Sequence, residues 1–248
     1  MLGISTLSKA VPSNGILSTH LFIGMLAHEM RSQISGICTV SKMLLSENES
    51  KEDRCFYLSH VNALSMNVLH VLNNMMATSR FYNDNVAIKM APARINIRHW
   101  LKLQIRQYDL ISTLSSVKIK AHFRTTVPDY ITTDEIKLGQ IVKNLIDNAF
   151  KFAPSGTCIS ISVSSLSDGR LLFQITDHGK GIPAEKIHLL FQPFQSLEVG
   201  FSGTGLGLYV SKLYATLLGG DLLLGKNDKR GTSFLFMIDS QSSITTKQ

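Results

Sequence analysis

The residues best suited to chemistry lie on one predicted helix between Asp134 and Phe152. On a helical wheel Asn148 and Lys151 fall within about 40° of Asn144, so two carboxamides and an ammonium group share one stripe. The apolar positions fall elsewhere, so the stripe is predicted to face away from the core. Such stripes are usually solvated surface, but Asn is a poor helix former for that purpose. Amide oxygens suit Mg²⁺ and an ammonium group suits phosphate, which favours a magnesium–phosphate site.

Two glycine-containing strings could hold the rest of a nucleotide. The first runs from Asp177 through Gly179 to Gly181, directly after a predicted strand. A carboxylate there can accept a proton from an exocyclic amine, and glycine lets a flat base approach the backbone. The second string, Gly203-Thr204-Gly205-Leu206-Gly207, leads into a helix whose N-terminus suits phosphate. Either string alone is weak, since most such strings are turns, and neither completes a Rossmann unit or a P-loop.

An α/β half over about residues 92–239 must position these residues. Its predicted elements, in chain order, are a helix over 98–111, a strand over 117–125, the helix between Asp134 and Phe152, strands over 159–163 and 171–175, a helix through Leu218, and strands over 222–224 and 233–238. The Ser/Thr/Gln-rich residues 240–248 are predicted to be a disordered tail.

A helical half over about residues 16–81 precedes it, after a loose leader over residues 1–15. Apolar residues recur in alternating steps of four and three on both sides of a polar stretch at 46–53, which predicts an antiparallel helical hairpin. Because the hairpin has more apolar surface than it can bury alone, a four-helix bundle in a homodimer is expected. The predicted fold class is therefore α+β, a hairpin followed by an α/β sandwich.

Composition excludes several classes. The 248 residues are 44% hydrophobic, and no stretch reaches the ~20 apolar residues that span a bilayer. Three cysteines at scattered positions exclude a disulfide framework and a four-thiolate zinc site, and they favour the cytosol. The net charge of +7 is spread along the chain without a basic block, so solvated surface charge, together with attraction for a small anion such as a nucleotide, explains it better than nucleic acid does.

The order of these elements resembles the GHKL-type ATP-binding domain of sensor histidine kinases. The N box resembles Asn144 to Phe152, the first glycine box Asp177 to Gly181, the F box Phe191 to Phe194, the second glycine box Gly203 to Gly207, and the last box Gly231 to Phe234. The resemblance implies ATP and Mg²⁺ as cofactors, with Asn148 holding the metal and Asn144 assisting. It further implies that Lys151 meets phosphate, that Asp177 reads the adenine amine, and that residues 192–203 form a lid. The other residues of these boxes taken as nucleotide-binding are Phe152, Gly179, Gly181, Gly203, Thr204, Gly205, Leu206, Gly207 and Thr232.

The helical half resembles the phospho-acceptor box of the same kinases at residues 27–33. His28 is predicted to lie beside the apolar seam, within reach of solvent. A bond from its Nδ1–H to the adjacent Glu29 would leave Nε2 as the nucleophile. Ser32 stands where the family positions a water for dephosphorylating its partner. Gln33 departs from the family, which usually has Pro there, so the helix is predicted to run straight past His28.

These features predict the catalytic core of a two-component sensor histidine kinase, which autophosphorylates His28 and passes phosphate to an Asp of a response-regulator receiver domain. A cytoplasmic location is expected, with no nucleic acid and no membrane contact within this stretch. One alternative is a degenerate member that acts as a regulatory dimer without autokinase activity. Another is an ATPase of the gyrase type, which the His-bearing hairpin disfavours.

Overall fold

The computed structural model describes residues 15–45, 50–82, 89–195 and 205–240. The chain divides into two compact units, the first containing the helical hairpin and the second all of the strands. Among the described residues, no helix is both long enough and apolar enough to cross a membrane.

The first unit consists of α1 (Gly15–Leu44) and α2 (Lys51–Tyr82), which confirms the two predicted helices. The start of α2 is capped by Ser50, whose Oγ accepts a hydrogen bond from Asp53 N at 3.1 Å. The helices approach closely at Gly36, where a Cβ would lie 3.1 Å from Leu64 Cδ1. Several large apolar side chains of the hairpin remain exposed: Ile34, Met43, Phe56, Leu58, Met66, Leu69, Met75 and Met76.

The second unit contains helices and two sheets, whose strands pair mostly in antiparallel fashion. Its elements are β1 (Pro92–Asn96), α3 (Ile97–Arg106), α4 (Asp109–Ser115), β2 (Lys118–Phe123), β3 (Tyr130–Asp134), α5 (Glu135–Phe152), β4 (Cys158–Ser165), β5 (Arg170–Thr176), a short 3-10 helix (Ala184–Leu189), α6 (Gly207–Leu217), β6 (Leu222–Asp228) and β7 (Gly231–Asp239). β1 pairs with β3 in a two-stranded sheet, and the other strands form a five-stranded sheet in the order β2-β4-β5-β7-β6. Only the β2–β4 pair of that sheet is parallel. The predicted α+β fold class is confirmed.

The core of this unit lies between the five-stranded sheet and the helices. Alternate residues of β4 and β5 are fully buried, as a period of two requires. The rings of Phe173 and Phe236 stack with their centroids 4.6 Å apart in the middle of the sheet. Against them lies the apolar face of α5, which includes Leu138, Ile141 and Leu145. This packing fixes α5 relative to the ends of β5 and β7.

The predicted helix over 98–111 is wrong in one respect, because the structure divides it into α3 and α4. The division falls at Tyr108, whose backbone leaves the helical region with φ −99° and ψ 3°. Its hydroxyl donates to Asp147 Oδ1 at 2.7 Å, and its ring stacks on Phe150 at 5.4 Å. These contacts with α5 hold Tyr108 in position at the break between α3 and α4. The short strands β1 and β3 are also absent from the sequence prediction.

Candidate nucleotide site

Asp177 lies at the end of β5 with its side chain buried. Its Oδ1 accepts hydrogen bonds from Gly179 N at 2.7 Å and from Thr232 N at 3.2 Å. Burial raises the pKa of the Asp177 carboxyl above its ordinary value, although these two N–H groups partly offset the effect. Its Oδ2 has no hydrogen-bond partner within the described part of the chain, so it can accept one from a ligand.

Two glycines let the backbone close tightly around Asp177. Gly231 has φ +136°, and a Cβ there would collide with the Asp177 carbonyl oxygen. Gly181 has φ +77°, and a Cβ there would collide with the Asp228 carbonyl oxygen. Only glycine fits both the backbone conformation and the space at these positions. The loop after β5 therefore packs directly against the β6–β7 hairpin.

Asn227 fastens the same loop, and the sequence reasoning missed it. Its Oδ1 accepts from Ile182 N and its Nδ2 donates to Ile182 O, both at 2.8 Å. Thr232 Oγ1 donates to the same Oδ1 at 3.4 Å. Asn227 lies at an irregularity in the β6–β7 pairing, where the register shifts after Leu224. Nothing in the local sequence marks this role, because Ile182, the residue that Asn227 holds, is 45 residues away.

His178 holds the other side of the loop. Its ring Nδ1 lies 2.9 Å from the Cys158 carbonyl oxygen at the start of β4. Since a carbonyl only accepts, Nδ1 carries the proton in this contact. Loop 177–182 is thus tied to β4, β6 and β7, which leaves Asp177 preorganised.

Asn144 differs from the sequence prediction, because it is buried instead of facing away from the core. Its Nδ2 donates to Gly207 O and to Ser211 Oγ, each at 2.9 Å. The reason is that α6 packs on this side of α5 and covers the stripe at Asn144. The first residue of α6, Gly207, lies so close that a Cβ would be 3.3 Å from Asn144 Oδ1. Asn144 thus fixes the start of α6, and its buried partner Ser211 was not predicted.

The rest of the predicted stripe lies at the C-terminal end of α5. Asn148 is half-buried, and its amide has no hydrogen bond with any described residue. Lys151 is exposed, with Nζ 5.4 Å from the centroid of the Phe152 ring. A Cβ at Gly179 would lie 2.7 Å from the Phe152 carbonyl oxygen, so the loop with Asp177 abuts this end of α5. The structure therefore brings the end of α5 and the Asp177 loop together.

The second predicted glycine string is described only in part, since Gly203 and Thr204 lie outside the described residues. Gly205 has φ +65°, and a Cβ there would be 2.7 Å from Gln195 N. Its carbonyl accepts from Phe194 N at 3.1 Å. Leu206 is fully buried and occupies the N-cap position of α6, without a side-chain capping bond. The predicted lid over 192–203 falls mostly outside the described residues.

The predicted phospho-acceptor residues all lie on α1. The helix continues unbroken from Gly15 to Leu44 through His28, Glu29 and Ser32. Ser32 is exposed, and the side chains of His28 and Glu29 lie outside the described set.

The metal prediction concerns an amide and not a cluster of charged ligands. Among the described residues, no group of at least 3 His, Cys, Asp or Glu side chains could hold a metal ion. Asn148, by contrast, offers an uncommitted neutral oxygen at the end of α5. This oxygen suits a Mg²⁺ ion that is also bound by phosphate oxygens, since Mg²⁺ commonly takes few protein ligands and keeps several waters.

Comparison with known proteins gives a consistent picture. Residues 133–242 match the family described as "Histidine kinase-, DNA gyrase B-, and HSP90-like ATPase". The chain is 26% identical over 225 residues to the signal transduction histidine-protein kinase BarA of Escherichia coli strain K12, covering 88% of this chain and 24% of BarA. It is 27% identical over 230 residues to the aerobic respiration control sensor protein ArcB of the same strain, covering 89% of this chain and 28% of ArcB. It thus spans about a quarter of the length of these relatives.

Solved structures share the fold. Full-length ShkA in complex with AMPPNP superposes with a TM-score of 0.62 at 21% identity, covering 88% of this chain and 45% of that one. The Acinetobacter baumannii histidine kinase AdeS gives 0.58 at 20% identity, covering 86% and 98%. Histidine kinase ThkA in complex with response regulator protein TrrA gives 0.58 at 16% identity, covering 91% and 61%.

Proposed function

We propose, from the premise that this chain belongs to the histidine kinase family, that it is the core of a two-component sensor kinase that phosphorylates its own His28 with ATP. The observation that carries the proposal is the preorganised Asp177, whose Oδ1 is saturated by backbone N–H groups while Oδ2 is available. That oxygen suits the exocyclic amine of adenine. The nearby glycines let the loop pack closely against its neighbours, which holds Asp177 in position for a base.

The triphosphate would lie between the end of α5 and the start of α6. Lys151 is exposed at the end of α5 and can neutralise phosphate charge. The Gly205–Gly207 segment at the N-terminus of α6 can receive phosphate on backbone N–H groups. Asn148 would hold Mg²⁺ through its amide oxygen. When bound, that ion supplies neutralisation of the triphosphate charge.

The nucleophile in this proposal is His28 Nε2, which attacks the γ-phosphorus in line. The N–P bond forms as the bond from phosphorus to the bridging oxygen of ADP breaks, and ADP leaves. Glu29, next to His28 on α1, would accept the Nδ1–H bond and balance the positive charge on the ring. A receiver-domain Asp then attacks the phosphorus, so that the N–P bond breaks and His28 is regenerated. Ser32 would orient water when the phosphorylated partner is hydrolysed.

The homodimer is part of the same proposal. The exposed apolar side chains of the hairpin, such as Ile34, Leu58 and Leu69, support it. Two hairpins packed into a four-helix bundle would bury them. A receiver-domain partner is supported by the related kinase ThkA, which was crystallised with a response regulator.

The test is labelling with ATP carrying a labelled γ-phosphate. The proposal predicts a label on the protein that is labile in acid and stable in base. This label should be lost in His28→Ala and kept in the control His60→Ala on α2. Nucleotide affinity should survive in His28→Ala, because the two sites lie in different units. Nucleotide binding without any label would favour a regulatory dimer. ATP hydrolysis without protein-bound label would favour a gyrase-type ATPase.

A further inference from the structure

Strand β2 forms one edge of the five-stranded sheet and pairs only with β4 within the described part of the chain. Lys118 N donates to Thr157 O and Arg124 N donates to Val163 O, so the even-numbered residues bond to β4. In a parallel ladder the alternate residues direct their N–H and C=O groups the other way. Ala121 and its odd-numbered neighbours in β2 therefore present a free row of backbone donors and acceptors.

The surface around this edge is strongly basic. Residues 92–124 contain 7 Lys and Arg side chains and one carboxylate, Asp109, so they supply 6 of the net 7 positive charges of the chain. Arg98 is paired with Asp129 at 3.2 Å. Five others, which lie on α3, on β2 or directly after it, are exposed and form no ion pair with any described residue: Lys102, Arg106, Lys118, Lys120 and Arg124.

These cations flank the free edge from both faces of the sheet. Ile119 and Phe123 pack toward the core, so Lys118 and Lys120 project from the opposite, open face. On the core side, α3 runs alongside β2. The Arg98 guanidinium lies 4.7 Å from the Phe123 ring centroid at one end, and Ile105 lines a concavity of about 190 Å³ together with Ile119 at the other.

The outward stripe of α3 adds the remaining charges. Lys102 and Arg106 follow Arg98 at successive steps of four, so they lie on the same side of α3. The concavity between α3, α4 and β2 contains one carboxylate in its lining, that of Asp109. Cations thus lie above and below the row of free backbone groups.

A simpler explanation is that lysines protect an edge strand from aggregation. That explains Lys118 and Lys120, but it does not explain the cations on α3 or their lack of acidic partners. A strand added to β2 would project its side chains alternately to the two faces of the sheet, and one set of cations lies on each face. We propose that the free edge of β2 binds an extended acidic peptide segment of a partner protein, as an added strand. This proposal is independent of the kinase activity.

The test uses the full chain and fluorescence anisotropy with a labelled peptide Thr-Glu-Glu-Thr-Glu-Glu, which matches the 6 residues of β2. Binding should weaken at least tenfold for the Gln analogue of the peptide. It should weaken to a similar extent for the acidic peptide N-methylated at every residue, which has no N–H group on either edge to pair with β2. Lys102→Glu with Lys118→Glu should weaken binding at least tenfold. Lys51→Glu with Arg54→Glu, which reverses exposed cations on α2, should not.

Ala121→Pro separates strand addition from charge, because it removes an outward N–H and keeps every cation. Binding should be lost with thermal unfolding close to wild type. The N-methylated peptide decides the matter if this variant does not fold. If the parent and N-methylated peptides bind equally, this surface binds polyanions in general and strand addition is overturned. The same conclusion follows if single-stranded DNA displaces the peptide from wild type and from Ala121→Pro alike. Equal binding of the Glu and Gln peptides would mean that the cations only protect the edge.

Discussion

Asp177 combines a buried carboxylate with one committed and one uncommitted oxygen. Burial of the side chain disfavours its ionised form. A ligand amine that donates to Oδ2 would offset part of that cost. Affinity for adenine would then arise from a partly desolvated carboxylate that loop 177–182 holds in position.

Asp177→Asn should weaken nucleotide binding at least tenfold, because an amide NH₂ can replace the acceptor Oδ2. Its effect on stability should depend on pH. Since the pKa of Asp177 is raised in the folded state, wild type loses stability as pH rises from the unfolded pKa through the folded pKa. Asn does not titrate, so the variant should gain stability relative to wild type between pH 4 and pH 7. Nucleotide titration and denaturant unfolding at both pH values measure this.

Asp168→Asn is the matched control, for which we expect the pH dependence of stability to have the opposite sign. Arg170 lowers the pKa of Asp168, so its contribution to stability is present above the unfolded pKa and is lost as pH falls through the folded pKa. This variant should therefore lose stability relative to wild type as pH rises from the folded pKa to the unfolded pKa of Asp168, a window that lies below the one for Asp177. The same sign for both variants would contradict the assigned environments.

Asn148→Asp tests the proposed metal role at a half-buried amide. If Asn148 is only solvated surface, the change should be nearly neutral. If its oxygen meets Mg²⁺ and phosphate, an added negative charge beside a triphosphate should abolish autophosphorylation with the fold intact. Labelling and thermal unfolding are measured together, and a wild-type rate of labelling would remove support for the metal role.

At the scale of elements, the contact between α5 and α6 borders the proposed phosphate region. Asn144 bonds to two groups of α6, one of them the carbonyl of its first residue, Gly207. This places the start of α6 beside the middle of α5, about one helical turn before Asn148. Stability and nucleotide affinity are therefore coupled through one buried amide.

Asn144→Ala should destabilise the second unit by about 1–3 kcal/mol, because it leaves Gly207 O and Ser211 Oγ without this donor. Ser211→Ala should cost less, since Asn144 keeps its bond to Gly207 O. The double variant should be less destabilised than the sum of the two. Denaturant unfolding of the three variants measures the coupling, and strict additivity would contradict it.

Helix α1 is the second element with a testable consequence, because it runs unbroken past Gln33. Gln33→Pro removes the bond from the residue 33 amide to the Glu29 carbonyl and should lower stability of the hairpin by about 3 kcal/mol. A bend there should also change how His28 is presented, and so the ratio of kinase to phosphatase activity. Thermal unfolding and the two activity assays report on these effects. An unchanged ratio would show that helix bending does not control the switch here.

At the scale of the whole molecule, the two units differ in how completely they bury apolar residues. The second unit has a closed core between sheet and helices. The hairpin keeps large side chains exposed along its length, including Ile34 at 46% exposure. We expect a second copy of the hairpin to bury these exposed side chains.

Ile34→Lys should weaken dimerisation at least tenfold, because it places a charge in the predicted bundle seam. Leu103→Lys is the matched control, since Leu103 on α3 is 44% exposed but lies outside the hairpin. Sedimentation velocity over a range of concentrations measures both. A dimer unchanged in Ile34→Lys would contradict the four-helix bundle.

The sequence by itself determined the features that depend on short-range periodicity and local chemistry. Heptad spacing predicted α1 and α2, and alternation predicted the strands of the five-stranded sheet, because both periods are read within one element. The string from Asp177 to Gly181 marked the candidate nucleotide loop, because a carboxylate at a strand end can accept a hydrogen bond from an exocyclic amine and glycine lets a flat base approach the backbone. Resemblance to a family joined these local signals into one predicted site.

Only the tertiary structure decided the features that join distant elements. Asn144 is buried because α6 covers it through Ser211, 67 residues away. Asn227 fastens the Asp177 loop across a separation of 45 residues. The cations of α3 and β2 looked dispersed along the chain, and folding gathers them around one free edge. The order of residues along the chain does not show which faces of distant elements meet, because packing between the elements determines those contacts.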